Sequence, residues 1–146
     1  MIVYFDNCAI QRPLDDRTNL RNRIESEAMI MLIELIEKKR ITPAVSDVLE
    51  YELQQSPDTD RIVFGLKFLS FGKKKYVLNR MIIKLAKSFE SEGVKAIDSL
   101  HLALASHHNI NYLCTCDDKF LRKANKMKHL NVKVLLPTDL LKEIVE

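Results

Sequence analysis

With 146 residues, 47% of them hydrophobic, the chain has the length for one compact domain spanning residues 1–146 and is short for two. Charged residues at 29%, with only 3 Gly and 4 Pro, exclude collagen-like and disordered classes. Net charge is only +3, no apolar run approaches the roughly 18 residues of a membrane span, and Met1 to Asp6 lacks the regions of a signal peptide, so a cytoplasmic location is expected.

Ile2-Val3-Tyr4-Phe5 is short, apolar and β-prone, and it ends at Asp6-Asn7, which reads as a buried strand feeding a turn. After a turn-rich stretch from Arg12 to Asn19, Ile24, Ala28, Met31, Leu32, Leu35 and Ile36 recur at helical spacing as far as Lys38-Lys39-Arg40, whose charges suit a helix C-terminus. Ile41 to Val45 reads as a second strand. Ser46 is then an N-cap for a helix carrying Val48, Leu49, Glu52 and Leu53, which Pro57 ends.

Two more helices are expected around Asp60 to Phe71 and Leu78 to Ser91, the second stopped by Gly93, with Lys73, Lys74 and Lys75 in the link. Ala96 to His107 is a strongly apolar helix. Tyr112 to Thr115 and Val132 to Leu136 complete the strands, a basic helix from Lys119 to Lys126 lies between them, and a last helix follows Pro137-Thr138. Strands alternating with helices predict a three-layer α/β/α fold with a mostly parallel central sheet, because parallel strands need crossovers that bury the sheet.

In such a sheet ligands bind outside the carboxyl ends of the strands, so a polar residue directly after a strand is informative. Asp6 occupies that place after the first strand, and Asp117 with Asp118 after Tyr112 to Cys116; each acid can equally cap the turn or helix that follows. Of the adjacent pair, one can cap while the other faces the crevice, and Asp117 is assigned to the crevice. Glu52 lies on the stripe of Val45, Val48 and Leu49 and points inward, whereas Glu50 lies with Asp47 and Gln54 and points outward.

Asp98 sits in a helix apolar on nearly every side, where an unpaired carboxylate is costly. Protonation, a buried cation, backbone donors in the first turn or a metal ion can relieve it, and convergence with the other acids favours the metal. Acids held together repel unless cations join them, and an oxygen-only donor set suits Mg²⁺ or Mn²⁺; nothing resembles a zinc site. The three cysteines are expected to be reduced, with Cys114 and Cys116 on one face of a strand.

Val3-Tyr4-Phe5-Asp6-Asn7, Ser46 with Glu52, Val94 to Ala103 around Asp98, and Thr115-Cys116-Asp117-Asp118-Lys119-Phe120 together resemble the PIN domain, a family that includes the VapC-type toxins of toxin–antitoxin pairs. The resemblance covers nearly the whole chain. It implies a doubly wound fold, frequent homodimers, and an acidic site of Asp6, Glu52, Asp98 and Asp117 that binds Mg²⁺ or Mn²⁺ and cleaves RNA. Asn7 and Thr115 match positions that support the first and last acids. Gln11-Arg12-Pro13-Leu14-Asp15-Asp16 is similar to a subgroup of small PIN proteins rather than to the best-known toxins, so an antitoxin partner depends on a cognate inhibitor.

His101 invites a general-base role, but on a core helix a packed, hydrogen-bonded histidine is favoured, and His107 and His108 suit a helix C-terminus. The cluster Lys73, Lys74, Lys75 and Arg80 and the cluster Arg122, Lys123, Lys126 and Lys128 can grip phosphates or simply be solvated helix faces. Rival readings are a binding module without useful activity and a DNA or structure-specific nuclease. A phosphatase of another α/β family would want a second acid where Cys8 stands.

Overall fold

The protein is described by a computed structural model covering residues 1–145. At its centre is β1 (Ile2–Phe5), whose Val3, Tyr4 and Phe5 are fully buried. Both faces of this strand are covered, which is why its sequence is continuously apolar instead of alternating. It pairs in parallel with β2 (Thr42–Pro43) on one side and β5 (Tyr112–Cys114) on the other, and β5 pairs in parallel with β6 (Lys133–Leu135). The order β2-β1-β5-β6 puts the carboxyl ends of all four strands along one edge.

The strand expected over residues 41–45 is split. Thr42 and Ala44 donate to Met1 and Val3 across the sheet, Pro43 between them has no N–H to give, and the chain then leaves to form β3 (Val45–Ser46). A separate parallel pair joins β3 to β4 (Lys75–Tyr76), so part of the basic link is a strand. Gly72 permits this approach, since a Cβ there would lie 2.2 Å from Cγ2 of Val45.

Helices flank the sheet. A short α1 (Asn7–Gln11) and a 3-10 turn at Arg12–Leu14 occupy ground where the sequence indicates only turns. Asn19 caps α2 (Leu20–Glu37), and α3 (Asp47–Gln54) and α4 (Thr59–Leu69) follow β3. Next comes α5 (Arg80–Ser91), after which Gly93 takes a φ of 97° that favours glycine. α6 (Ala96–His107), α7 (Asp118–Asn125) and α8 (Pro137–Val145) complete the chain. α2 packs on α8, which lies against β5 and β6, while α6 lies against β5 and packs on α5 and α3. The protein is thus a three-layer α/β/α fold, and every strand pairing is parallel. No helix among the described residues is long and apolar enough to cross a membrane.

The buried face of α2 differs from the expected stripe. Ala28, Leu32 and Ile36 are buried as expected, but Ile24 and Met31 are exposed, and Glu25, Ser26 and Met29 are buried in their place. The cause is polar: Glu25 lies 3.1 Å from Arg12 Nε, and the Ser26 hydroxyl donates to the Arg12 carbonyl at 2.8 Å. An apolar stripe alone cannot reveal a helix that turns a carboxylate inward.

Candidate active site at the carboxyl edge of the sheet

Asp6 is buried directly after β1, and its backbone N–H donates to Cys114 O at 3.1 Å, extending the β1–β5 ladder by one bond. Its Oδ1 caps α1 by accepting from Ala9 N at 3.0 Å, and the Cys8 thiol donates to the same oxygen at 3.0 Å. Burial, followed by the neighbouring Cys8, pushes the Asp6 carboxyl well above the ordinary carboxylate range. The capping role and the crevice position therefore coincide in one residue. Asp117 shows the same overlap: its Oδ1 accepts from Lys119 N and Phe120 N at the start of α7, and it lines a narrow notch with Asp98.

The expected division of labour between the two adjacent acids does not occur. Asp117 is itself the cap, and Asp118 points away to pair with Arg21, whose hydrogen bonds hold its carboxyl below the usual range. Thr115, fully buried, fixes the segment between them: its hydroxyl accepts from Asp117 N at 3.1 Å and lies 3.4 Å from the Cys8 sulfur. Asn7, half-buried, leaves its Oδ1 buried and without a partner.

Asp98 stands in the first turn of α6, half-buried. Desolvation raises its carboxyl above the ordinary value; His101 pulls it down, and the negative charges of Asp117 and Glu52 push it further up. Those two acids are thus close enough to oppose its ionisation.

Glu52 is held by a buried relay. Its Oε1 lies 3.0 Å from Nε2 of His101, whose Nδ1 is 2.5 Å from the Tyr4 hydroxyl, which in turn is 2.8 Å from Ser46 Oγ. Ser46 also caps α3 by accepting from Leu49 N at 3.1 Å. One set of donors satisfies all four groups: a carboxylate only accepts, so His101 carries its proton on Nε2, Tyr4 donates to Nδ1, and Ser46 donates to Tyr4. Burial pushes the Tyr4 phenol well above its usual value, which keeps that proton in place.

His101 is therefore a packed, hydrogen-bonded residue that positions Glu52. Tyr4, Cys8 and Arg61 were not singled out by the sequence. For Tyr4 the available signal was a phenol inside a continuously apolar strand, whose hydroxyl must find a buried partner. Glu50 is turned outward and pairs with Lys75 at 2.7 Å, and Lys74 lies 5.0 Å over the Tyr76 ring. The first basic cluster is thus partly committed within the fold. Of the second, Lys123 reaches the Asp98–Asp117 notch together with Lys95 and Lys119.

Asp6, Glu52, Asp98 and Asp117 offer only oxygen donors, and Asp98 is opposed by the charges of Asp117 and Glu52, a chemistry that fits a hard divalent cation. Among the described residues no group of three His, Cys, Asp or Glu side chains is close enough to share one ion. The arrangement fits an ion held by a carboxylate pair, with water or substrate oxygens filling its shell, as Mg²⁺ commonly is. A second depression, a cavity of about 280 Å³ with mixed polar and apolar walls, borders Glu52 and is lined also by Asn7, Gln11, Asp15, Leu53 and Arg61.

The PIN domain family matches residues 19–126, well over half of the chain, a span that includes Glu52, Asp98 and Asp117 and leaves out Asp6. The fold is similar to that in the crystal structure of VapBC2 from Rickettsia felis bound to a DNA fragment from their promoter. The TM-score is 0.59 at 15% identity, over 93% of this chain and 98% of that chain. No curated protein sequence matches the chain.

Proposed function

Because the chain belongs to the PIN domain family, whose members are generally nucleases, we propose that it is a Mg²⁺- or Mn²⁺-dependent ribonuclease that hydrolyses RNA phosphodiester bonds. The observation that carries this reading is the meeting of acids from distant parts of the chain: Asp98 of α6 and Asp117 at the start of α7 line one narrow notch rimmed by Lys95, Lys119 and Lys123, and Glu52 of α3 is near enough to oppose ionisation of Asp98. A structural role does not need such repulsion.

Asp98 and Asp117 would hold one ion from the two sides of the notch, and Asp6, with one carboxylate oxygen committed to its cap, would reach that ion through a water of its shell. When bound, such an ion lowers the pKa of a water and neutralises charge on the attacked phosphate. Glu52 would orient the attacking water or hold a second ion, kept in register by His101 and Tyr4. Asn7 and Thr115 would support Asp6 and Asp117. Lys95, Lys119 and Lys123 would bind the RNA backbone beside the notch without reading its sequence.

An antitoxin partner and a homodimer belong to the same reading. An apolar groove of about 220 Å³ between α2 and α4, lined by Ile33, Phe64, Phe68 and Phe71 with Glu37 and Lys67 at its rim, supports docking of a partner segment. Exposed Val77, Met81 and Ile83 around the start of α5 support self-association. The three free thiols are in keeping with a reducing cytoplasm.

The test is cleavage of mixed labelled RNAs and DNAs by the purified protein with Mn²⁺ or Mg²⁺, with EDTA, and with Asp98→Asn. RNA cleavage lost in both controls is the expected result. DNA cleavage in preference to RNA would make it a DNA nuclease, and inactivity of folded protein on every substrate would make it a binding module.

A further inference from the structure

Among the three cysteines Cys8 is the exposed one, so packing of the core does not account for it. It stands where two segments of the site part. Asp6 N donates to Cys114 O at 3.1 Å, after which Asn7 opens α1 while Thr115 N turns to Leu135 O of β6 at 3.0 Å. Asp6 and Asp117 therefore sit on segments whose backbones diverge, one at the end of β1 and the other three residues past β5.

Side chains rejoin these segments, and the Cys8 sulfur is their junction. The thiol donates to Asp6 Oδ1 at 3.0 Å, Cys116 N donates to the sulfur at 3.4 Å, and Thr115 Oγ1 lies 3.4 Å from it. An ionised Asp6 only accepts, so the single thiol proton goes to Asp6, and the sulfur accepts from the Thr115 hydroxyl. The Thr115 oxygen in turn accepts from Asp117 N at 3.1 Å. One chain of hydrogen bonds thus runs from the Asp117 backbone through Thr115 and Cys8 to Asp6 Oδ1. Contact with the Cys116 side chain, followed by burial, pushes the Cys8 thiol far above its usual range, which keeps its proton on the sulfur. A direct path competes with this chain: against burial, which raises the Asp6 carboxyl, the Thr115 hydroxyl pulls it down, so Thr115 is near the carboxylate as well as the sulfur.

We propose that Cys8 is a positioning residue of the carboxylate site, whose sulfur couples the segment of Asp117 to the carboxylate of Asp6. The coupling matters to the ribonuclease reading, on which this role rests, because Asp117 would touch the ion while Asp6 meets a water of its shell. Sulfur suits the junction. A hydroxyl, whose hydrogen bonds to oxygen span about 2.5–3.0 Å, would still donate to Asp6 but leave Thr115 out of reach.

The test has two arms, and the first needs no metal. Ala9 N donates to Asp6 Oδ1 at 3.0 Å, so its amide NMR signal reports on that oxygen. Thr115→Val, which removes the hydroxyl and keeps the shape, is expected to move the Ala9 signal in the parent and much less in a Cys8→Ala background, with unchanged circular dichroism. No movement in the parent, or equal movement in both backgrounds, overturns the proposal, the second because Thr115 would then act on Asp6 directly.

The second arm is Mn²⁺ affinity by isothermal titration. Cys8→Ala should weaken it about tenfold, the low end for residues that orient a ligand from behind, and Cys8→Ser should weaken it less. A merely structural thiol would lower the urea midpoint and leave the affinity unchanged. Serine as weak as alanine would mean that the size of the sulfur matters and its hydrogen bonds do not; either result overturns the proposal. A parent that shows the amide coupling but binds no Mn²⁺ upholds the coupling and removes the metal reading.

Discussion

Tyr4 places its ring in the core of β1 and its hydroxyl between Ser46 and His101, so one residue serves both the sheet and the site. Tyr4→Phe keeps the ring and removes the junction. His101 Nδ1 then becomes a buried acceptor without a donor, at a cost of about 1–3 kcal/mol in unfolding free energy. Glu52 keeps its histidine but loses the restraint on that histidine's orientation, and changes to such supporting partners typically cost about 10–100-fold in activity. Urea unfolding and cleavage rates of the same sample check both; a variant as active as the parent would show that the relay only packs the core. Asp6, Asp98 and Asp117 stand out in the sequence as candidates because carboxylates after strands and inside apolar helices are conspicuous, and Glu52 because it shares a helix face with Val48 and Leu49. The relay does not, because Tyr4, Ser46 and His101 lie far apart in the chain and each looks ordinary in its own segment.

At the scale of elements, the same limit explains α2. Its length and its approximate ends follow from spacing and from Asn19, but the rotation of its buried face is set by a charge cluster between segments. Glu25, with its side chain 4% exposed, is met by Arg12 Nε at 3.1 Å and by Arg21 Nε at 3.4 Å, while Arg12 Nη1 reaches Asp15 and Asn22 at 2.8 Å. Removing one partner of a buried pair leaves a charge without compensation and costs about 3–5 kcal/mol. Arg12→Ala should fall near the low end of that range, since Arg21 remains beside Glu25, and Arg12→Ala with Glu25→Leu should recover a large part of the loss. A fall in the urea midpoint for the single variant, partly restored in the double, is the expected result. A single variant within about 0.5 kcal/mol of the parent, the range of ordinary surface changes, would mean that α2 is oriented by its apolar contacts alone. The split of residues 41–45 into β2 and the start of β3 was illegible for a related reason: with two residues each, these strands are defined by their partners β1 and β4.

Over the whole molecule, a net charge of +3 says little about nucleic acid, but the distribution of the cations does. Lys75 is paired to Glu50 and Lys74 stacks on Tyr76, whereas Lys95 and Lys119 stand exposed at the rim of the Asp98–Asp117 notch with no ion-pair partner among the described residues. Lys123 donates to the Gly93 carbonyl at 2.5 Å, a bond that leaves its charge at the same rim. A cation that displaces a counterion from single-stranded RNA steepens the dependence of log affinity on log salt by about 0.7. If the strand runs over the notch, Lys95→Ala with Lys119→Ala should flatten that slope by about 1.4, with the loss of affinity shared by all sequences because phosphates carry none. Lys73→Ala with Lys74→Ala, in the cluster partly engaged by the fold and away from the notch lining, should change it by much less. Fluorescence anisotropy of a labelled RNA in EDTA, where nothing is cut, over a series of salt concentrations measures both slopes. Equal flattening by the two double variants would mean that RNA is held by general positive charge, and a larger effect at Lys73 and Lys74 would move the strand away from the carboxylates altogether.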